Sequence, residues 1–346
     1  MSPDRSTDIL RGALRRLAAG ESLDGDTIAG AFDVIMRGEA TAAQVAALLM
    51  ALRVKGESPE EVAGVARSLR EVMVPIAAAD PQTLVDTCGT GGGTMSTFNI
   101  STAAAMLAAG AGVRIAKHGN RSFTSRSGSA DVLEALGVRI DTTPAVMERA
   151  LQEAGITFMF APLLHPAMRH VGPIRRELAI PTVMNIVGPL ANPARAGRQV
   201  VGVADANRVD LIAGALALLG STRALVVHGA PGMDEVSPLG PTLVREVAHG
   251  EVRTWTIDPA LAGYDGIIAE DLHGGEPAEN AALIERVLRG GGPPAARAAV
   301  VLNAAAAIYV ADLAPSFEAA VEVARAALER GAGALALDAL RAAFAT

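Results

Sequence analysis

Apolar side chains recur at helical spacing through the first part of the chain, and no convincing strand pattern interrupts them. Three groups follow one another, namely Leu10, Leu14 and Leu17, then Ile28, Phe32, Ile35 and Met36, then Val45, Leu48, Leu49 and Leu52. Thr41 stands three residues before Gln44, which is the spacing of a capping box. Ser58-Pro59 opens a further helix with proline at its first position. The pattern predicts a small all-helical N-terminal domain over residues 1–76.

Beyond about residue 83, short apolar runs alternate with helical segments. An alanine-rich helix begins near Ser101, and another helix is predicted over residues 209–219. Such alternation predicts an α/β fold with a mainly parallel central sheet flanked by helices, forming a large domain over residues 77–346. Residues 244–256 predict an antiparallel hairpin outside that scheme. The predicted parallel strands are residues 83–85, 113–116, 158–160, 200–203 and 224–227.

The amino-acid composition excludes several classes of protein. Of 346 residues, 50% are hydrophobic, and 30 Lys and Arg against 37 Asp and Glu give a formal net charge of −7. This acidic balance, with 3% aromatic residues, argues against nucleic acid as a partner. The chain has neither a run of about 18 apolar residues nor an N-terminal apolar signal core, so we expect a cytoplasmic protein without a membrane partner. The single cysteine, Cys88, excludes an internal disulfide and a cysteine-rich zinc site.

A glycine cluster follows the first predicted strand. Four glycines fall within residues 89–93, and such clusters let backbone N–H groups approach an anion without interference from Cβ atoms. Residues 97–102 then supply hydroxyl and amide groups at a helix start, where the N–H groups favour phosphate. A dinucleotide fingerprint is excluded because Thr94 stands where its third glycine belongs. A Walker-type nucleotide loop is also excluded, because no G-K-[ST] occurs in the chain. We interpret the segment as a phosphate-binding loop.

A second polar segment, residues 117–131, follows the second predicted strand. Its fifteen residues contain three cations, five hydroxyl side chains and two glycines. Ligands of α/β proteins bind beyond the carboxyl ends of the strands. Two such loops at the ends of adjacent strands therefore predict a ligand with two separated phosphate groups. A solvated basic loop whose following helix is capped by Ser129 is the plainer alternative.

Two more segments carry candidate chemistry. Asp234-Glu235 follows the last predicted parallel strand, and beside phosphate loops such a pair indicates Mg²⁺, which takes one or two carboxylates together with phosphate oxygens and water. Arg175 and Arg176 carry planar guanidinium groups suited to a substrate carboxylate. A surface ion pair with Glu177 is a common alternative for them. Spacing alone does not settle this segment.

Taken together, these segments resemble the anthranilate phosphoribosyltransferase family of tryptophan biosynthesis, over nearly the whole chain. Each motif alone is weak, whereas eight in the right order are highly specific. The family usually has Asp after G-T-G-G, where this chain has Gly93, so one anchor of the metal–diphosphate group is missing. The motifs are G-T-G-G at 89–92, T-F-N-I-S-T at 97–102, K-H-G-N-R-S at 117–122, S-G-S-A-D at 127–131, H-P-A-M at 165–168, R-R-E-L at 175–178, G-P-L-x-N-P at 188–193 and D-E at 234–235.

The resemblance implies a set of ligand-binding residues. For 5-phosphoribosyl 1-diphosphate (PRPP) they are Gly89, Gly92, Gly93, Thr97, Asn99, Ile100, Ser101, Thr102, Lys117, His118, Gly119, Asn120, Arg121, Ser122, Phe123, Thr124, Ser125 and Ser129. Anthranilate would meet Gly89, Asn120 and Arg175, with His118, His165 and Gly188 lining its approach. Two Mg²⁺ ions per subunit are implied, held by Ser101, Asp234 and Glu235. Lys117, Asn120 and Arg175 would carry the catalytic roles.

The resemblance also implies an assembly and leaves two alternatives. It implies a homodimer formed through the small helical domain, which a returning segment, about residues 172–193, would join. One alternative is a pyrimidine nucleoside phosphorylase, which has a related fold and a K-x-S-G-R-type signature where residues 117–121 read K-H-G-N-R. The other is a non-catalytic nucleic-acid-binding relative, which would need a basic groove and stacking aromatics, whereas the chain has one Trp and two Tyr.

Overall fold

The computed structural model describes residues 3–93, 95–122 and 126–345. Its α-helices are α1 (Pro3–Ala18), α2 (Gly25–Met36), α3 (Ala42–Lys55), α4 (Pro59–Val72), α5 (Ile100–Gly110), α6 (Ser129–Ala135), α7 (Pro144–Glu153), α8 (Ala161–Leu164), α9 (Gly172–Leu178), α10 (Val209–Leu218), α11 (Pro277–Leu288), α12 (Pro294–Val310), α13 (Phe317–Glu329) and α14 (Ala332–Phe344). Its strands are β1 (Val85–Gly89), β2 (Ile115–Gly119), β3 (Ile156–Phe160), β4 (Arg198–Gly202), β5 (Arg223–Gly229), β6 (Thr242–Ala248) and β7 (Glu251–Ile257).

Helices α3 and α4 begin where the sequence predicts them, because each has a complete capping box. The Thr41 hydroxyl accepts the Gln44 N–H at 3.3 Å, while the Gln44 side chain accepts the Thr41 N–H at 2.9 Å. Ser58 and Glu61 repeat the arrangement at 3.2 and 2.8 Å. The fully buried Glu61 carboxylate also pairs with Lys55 at 2.8 Å. This carboxylate therefore joins the start of α4 to the end of α3.

The strands form one sheet in the order β3-β2-β1-β4-β5-β6-β7. The pairs from β3 to β5 are parallel, and β6 and β7 are added antiparallel. The mainly parallel sheet flanked by helices is confirmed, and so is the hairpin, which turns at His249-Gly250. Parallel strands that are each followed by a helix bring their carboxyl ends to one edge of the sheet.

The predicted bounds of the first two strands are wrong by two or more residues. The strand expected at 83–85 is β1, which runs on to Gly89, and the strand expected at 113–116 is β2, which runs on to Gly119. The prediction stopped at the last apolar residue, because the strand residues that follow include buried Asp86 and Lys117, which are 0% and 2% exposed. Buried polar residues inside a strand interrupt the hydrophobic pattern from which strands are predicted. Both polar segments therefore begin inside the sheet rather than after it.

The sheet separates two apolar clusters. Val200 and Leu225 point into a cluster with α5 and α12, whereas Val201 and Val226 point into one with α10 and the N-terminal helices. This alternation is that of a strand buried on both faces. Helix α4 packs closely on α10, where a Cβ atom at Gly214 would lie 3.0 Å from the Pro59 ring. The N-terminal helices and the sheet thus share one continuous core through α10. None of the helices in the described ranges is long and apolar enough to cross a bilayer.

A charged cluster joins the hairpin to the rest of the sheet at the beginning of β5. The Glu246 carboxylate, 3% exposed, accepts hydrogen bonds from Arg223 at 2.7 Å, Arg253 at 2.8 Å and Trp255 Nε1 at 3.0 Å. The Tyr309 hydroxyl of α12 lies 3.2 Å from it. Burial opposes ionisation of Glu246, but the hydrogen bonds from Arg253 and Arg223 outweigh it and lower the pKa of this carboxyl.

Glu246 should make the fold sensitive to acid. A carboxylate whose pKa is lower in the folded than in the unfolded chain stabilises the fold above its unfolded pKa, and this stabilisation is lost as the pH falls through the folded pKa. Glu246→Gln should therefore lower the Tm at neutral pH and flatten its fall between about pH 5 and about pH 3. Melting followed by circular dichroism measures this. The control is Glu251→Gln at the exposed first residue of β7. Parallel curves for Glu246→Gln and wild type would contradict the assignment.

Candidate active site

The acidic pair lies against the glycine loop at the carboxyl edge of the sheet. Gly89 of β1 and Gly202 of β4 are paired in register, and the chain at Asp234 crosses directly over them. A Cβ atom at Gly202 would lie 1.7 Å from the Asp234 carbonyl oxygen, and one at Gly89 would lie 2.8 Å from Asp234 Oδ2. Gly202 therefore requires glycine, because a side chain there would displace the backbone of the acidic loop, whereas a side chain at Gly89 would press on the Asp234 carboxylate.

Backbone donors hold the two carboxylates. The Gly91 N–H donates to Asp234 Oδ2 at 3.0 Å, and the Ser101 N–H in the first turn of α5 donates to Glu235 Oε1 at 3.2 Å. Burial raises the pKa of both carboxyls, and that of Glu235 reaches about 8 because the Asp234 charge adds to the effect. Two neighbouring acidic groups whose pKa values are raised by burial indicate a candidate functional site.

The donor set fits magnesium. Carboxylate oxygens of Asp234 and Glu235 with the Ser101 hydroxyl are hard oxygen ligands, which Mg²⁺ prefers. In residues 3–93, 95–122 and 126–345, His, Cys, Asp and Glu form no group of three that could hold a metal ion. Mg²⁺ is commonly bound by one or two carboxylates, with substrate phosphates and water completing its shell. The residues present are therefore suited to a metal that arrives with a phosphate-bearing ligand.

Lys117 lies beneath this pair, inside β2. Its Nζ donates to the Thr87 carbonyl and lies 3.3 Å from Ser101 Oγ. Burial lowers the pKa of Lys117, while the charges of Asp86 and Glu235 oppose that shift. A buried cation beside two carboxylates compensates part of their charge.

Asp86 and Asn192 connect β1 to β2 below the site. Asp86 accepts the His118 N–H at 3.0 Å and the Asn192 side-chain amide at 2.7 Å. The same amide donates to the Ala116 carbonyl at 2.9 Å. Burial raises the pKa of Asp86 to about 6, despite the bond from Asn192. Sequence reasoning missed the role of both residues, although Asn192 lies within the G-P-L-x-N-P motif.

The imidazole rings of His118 and His165 pack side by side next to the site. Their ring centroids are 4.9 Å apart at an interplanar angle of 44°. Burial lowers the pKa of both, that of His165 to about 4, so the rings are uncharged at neutral pH. Both Nε2 atoms are buried, with no hydrogen-bond partner in the part of the chain that the structure describes. The two rings can contact an aromatic ligand, and their Nε2 atoms can form hydrogen bonds with it.

The two predicted phosphate loops are joined through Asn99. Its amide donates to the Ser127 carbonyl at 3.0 Å, and its Oδ1 accepts from the Ser127 hydroxyl at 3.1 Å. Asn280 of α11 donates to the same oxygen at 3.0 Å. Nearby, Thr97 pairs with His273 in an isolated antiparallel bridge. The sequence offered no signal for Asn280, since it lies 181 residues from Asn99.

Other predicted PRPP-binding residues take varied positions. The side chains of Ile100 and Thr102 are fully buried, and their N–H groups donate to the Phe98 carbonyl at 2.7 Å and the Asn99 carbonyl at 3.1 Å. Arg121 pairs with Asp131 at 2.9 Å, and Asn120 Oδ1 accepts the Arg121 N–H at 2.7 Å.

The helix cap at Ser129, which belonged to the plainer alternative of a solvated basic loop, is wrong. Helix α6 is capped at Gly128, whose N–H donates to Asp131 at 2.8 Å. Ser129 instead donates to the Asn120 carbonyl at 3.3 Å, and the absence of a Cβ at Gly119 makes room for its hydroxyl. Gly92 is exposed, Gly93 is half-buried, and the Ser122 N–H donates to Asp131 at 3.1 Å. Phe123, Thr124 and Ser125 lie outside the described residues.

Arg175 and Gly188 belong to the segment after the parallel strand β3. Arg175 is half-buried on α9, and burial lowers the pKa of its guanidinium. Its side chain forms no ion pair within the described ranges, so the pair with Glu177 is not present there. Gly188 begins a short 3₁₀ turn that rests on the sheet, where the Gln199 side chain donates to the Pro189 carbonyl at 2.7 Å. A partly desolvated guanidinium without a carboxylate partner is suited to an anionic ligand.

Comparison with known proteins agrees with this geometry. Models of a glycosyl transferase family match the chain, the α/β domain over residues 81–334 and the helical bundle domain over residues 11–73. The anthranilate phosphoribosyltransferase of Rubrobacter xylanophilus is 52% identical over 330 residues, which cover 95% of this chain and 96% of that protein. The chain belongs to the anthranilate phosphoribosyltransferase family. It is therefore a phosphoribosyltransferase, as the eight motifs predict.

Solved structures of anthranilate phosphoribosyltransferases share the whole architecture. The enzyme from Thermus thermophilus matches with a TM-score of 0.91 at 41% identity, over 96% of this chain and 99% of that one. The Saccharomyces cerevisiae enzyme, in complex with PRPP and Mg, matches with a TM-score of 0.86 at 27% identity over 97% of each chain. Neither the nucleoside phosphorylase nor the nucleic-acid-binding alternative is favoured by these matches.

Proposed function

We propose that this phosphoribosyltransferase transfers the 5-phosphoribosyl group of PRPP to the amino group of anthranilate. The products are N-(5-phosphoribosyl)anthranilate and diphosphate, as in the second step of tryptophan biosynthesis from chorismate. One observation carries the proposal. Asp234 and Glu235 are held against a glycine loop and the first turn of α5, where a metal-bound diphosphate and backbone N–H groups can meet.

PRPP would lie along the carboxyl edge of β1 and β2. The glycine loop at residues 89–93 would offer backbone N–H groups to the diphosphate. It lies beside the two carboxylates that the Gly91 and Ser101 N–H groups hold. The segment at residues 117–129 offers hydroxyl and backbone groups to the second phosphate. We assign Lys117 an electrostatic role from beneath the site, since its Nζ lies against Thr87 and Ser101 rather than in the open.

Magnesium would be held by Asp234, Glu235 and Ser101 together with the diphosphate. The yeast relative was crystallised with PRPP and Mg, and the oxygen donors here fit that ion. When bound, the metal neutralises negative charge on the leaving diphosphate. We propose two ions per subunit, because the two carboxylates can each serve a different ion when the ligand supplies the remaining oxygens.

Anthranilate would be bound by Arg175 through its carboxylate and by Asn120 beside its amine. The neutral rings of His118 and His165 would face the aromatic ring of the substrate. Gly188 would leave room for that ring, because a Cβ atom there would meet nothing within 4 Å, and Gly89 would contact the substrate through its backbone. None of these residues has a negatively charged side chain, so the substrate carboxylate would meet no repulsion from them.

The reaction needs little acid–base chemistry from the protein. The bond between ribose C1 and the diphosphate oxygen breaks, the anthranilate nitrogen bonds to C1, and that nitrogen gives up one proton. A neutral aryl amine already carries the lone pair that it needs, so positioning the two substrates is most of the protein's contribution. Backbone N–H groups of the glycine loop at residues 89–93, with the metal that Asp234 and Glu235 would hold, would stabilise the charge that develops on the departing diphosphate. A site enclosed by His118 and His165 keeps water from competing for C1.

The direct test follows the loss of anthranilate fluorescence with purified protein. Consumption should require protein, PRPP and Mg²⁺ together, and it should stop when any one of them is omitted. Diphosphate release should match anthranilate consumption one to one. Folded protein that consumes no anthranilate, or that cleaves thymidine or uridine with phosphate instead, would refute the proposal.

Gly93 should set the metal requirement. A Cβ atom at position 93 would lie 3.3 Å from Asp234 Oδ1, so an aspartate there would add a carboxylate beside the acidic pair. Additional ligand charge strengthens cation binding. Gly93→Asp should therefore lower the Mg²⁺ concentration for half-maximal activity by about three-fold or more, whereas Gly93→Asn, of similar volume and without charge, should not. Superimposable Mg²⁺ titrations of Gly93→Asp and wild type would rule this out.

Assembly and location are part of the same proposal. We propose a homodimer formed through the helical domain, comprising residues 1–76 with the returning segment 172–193, beside the α/β domain of residues 77–346. Two apolar residues support it, because Ile9 of α1 and Val54 of α3 are 36% and 79% exposed. Sedimentation of wild type and Val54→Asp would test this interface. The cytoplasmic location stays a prediction from the sequence.

A further inference from the structure

A buried asparagine of α12 holds the peptide that follows the acidic pair. Asn303 Oδ1 accepts the Val236 N–H at 2.9 Å, and Asn303 Nδ2 donates to the Val236 carbonyl at 2.8 Å. The second N–H of the same amide goes to the Ala299 carbonyl, one turn earlier, at 2.9 Å. The side chain is 3% exposed. One amide therefore binds both the donor and the acceptor of a single residue in the acidic loop.

Packing alone does not require an amide at this position. Helix α12 is buried along almost its whole length, and its other buried residues between Ala295 and Val310 are nearly all Ala, Val, Leu and Ile. A polar group in such surroundings is costly unless its hydrogen bonds are made. The hydrogen bonds from Asn303 to Val236 offset the cost of burying the amide. The contact with Val236 is therefore the reason for an asparagine, rather than an apolar residue, at this position.

The held peptide lies next to the carboxylates. Val236 directly follows Glu235, and Glu235 and Asn303 line the same small cavity as Ser101 and Thr87. The hydrogen bond from Ser101 N–H, at 3.2 Å, fixes one oxygen of the Glu235 carboxylate. The direction in which the pair points thus depends on where the backbone at Val236 is fixed.

We propose that Asn303 is a positioning residue for the acidic pair: by fixing the Val236 peptide it aims Asp234 and Glu235 at the ligand. The inference rests on the proposed role of these two carboxylates in binding the metal and diphosphate. Displacement of a binding group by about 1 Å is enough to cost about 100-fold in rate. A loop anchored to the most deeply buried helix is held against such displacement.

Asn303→Leu tests the proposal, because it removes both hydrogen-bonding groups and keeps a similar volume. We expect the KM for PRPP and the Mg²⁺ concentration for half-maximal activity to rise by about 10-fold, while the KM for anthranilate stays within about two-fold. Titration calorimetry of PRPP, with and without Mg²⁺ and without anthranilate, supplies a readout free of turnover. The gain in PRPP affinity that Mg²⁺ gives to the wild type should shrink about 10-fold in the variant.

Two controls separate positioning from stability and from the role of the carboxylates. Leu302→Ala removes a fully buried neighbour on α12, and it should lower the Tm without changing the effect of Mg²⁺ on PRPP binding. Asn303→Ser serves if the leucine variant does not fold. A folded Asn303 variant with the wild-type Mg²⁺ effect would overturn the inference. If Glu235→Gln also retains the effect of Mg²⁺ on PRPP binding, the proposed role of the carboxylates has failed. If Glu235→Gln loses this effect while the Asn303 variant keeps it, only the positioning role of Asn303 has failed.

Discussion

Replacing Arg175 with alanine should raise the KM for anthranilate by about 30-fold or more and leave the KM for PRPP within about two-fold. The guanidinium is half-buried, and it makes no ion pair within the described ranges. A charged group that has lost part of its hydration gains most from a carboxylate that approaches it in a planar, two-point contact. Initial rates at varied anthranilate and saturating PRPP, then the reverse, measure the two constants.

The neighbouring arginine provides a matched control. Arg176 is exposed on the same helix, so Arg176→Ala should leave both constants near their wild-type values. Arg175→Lys keeps the charge and loses the planar fork, and it should fall between alanine and wild type. Equal increases in both KM values for Arg175→Ala would refute a role confined to anthranilate.

Removing the charges of the acidic pair should have the larger effect on turnover. We expect Asp234→Asn with Glu235→Gln to lower kcat/KM for PRPP by about 1000-fold. Amides keep the volume of the side chains but not the charge that a divalent cation requires. The variant should also lose any effect of Mg²⁺ on PRPP binding, measured by calorimetry.

A distant acid tests whether the loss is specific. Glu251→Gln changes the same kind of group at the exposed first residue of β7. Glu251 pairs with Ala248, which pairs with Arg223 at the beginning of β5, so it lies at the opposite end of the sheet from Asp234. It should retain wild-type activity. Activity of the Asp234→Asn, Glu235→Gln protein within about 10-fold of wild type would exclude these carboxylates as the metal ligands.

The N-terminal helices and the alternation of strands and helices could be predicted because each has a local signal. Capping boxes mark the starts of α3 and α4, and apolar runs mark the parallel strands. The ends of β1 and β2 could not be predicted, because Asp86 and Lys117 are strand residues whose burial depends on partners distant in the chain. Their charges are compensated only once the sheet has formed.

The supporting residues of the site were hidden for the same reason. Asn280 and Asn303 lie on helices near the end of the chain, and their partners, Asn99 and Val236, are 181 and 67 residues away. A single asparagine within a helix has no sequence pattern that shows whether its side chain supports another segment or is exposed to solvent. The motifs thus predict which residues contact the ligand, whereas the residues that hold these in place can be identified only from the packing.

The core shared by the N-terminal helices and the sheet limits how the molecule can be recombined. Because α4 and α10 bury one another's apolar surface, with Gly214 fitted against Pro59, the helices are not an interchangeable module. A chimaera that takes residues 11–73 from a relative should require α10 from the same source to keep its stability. The unit of exchange is then discontinuous in the chain, although it is contiguous in space.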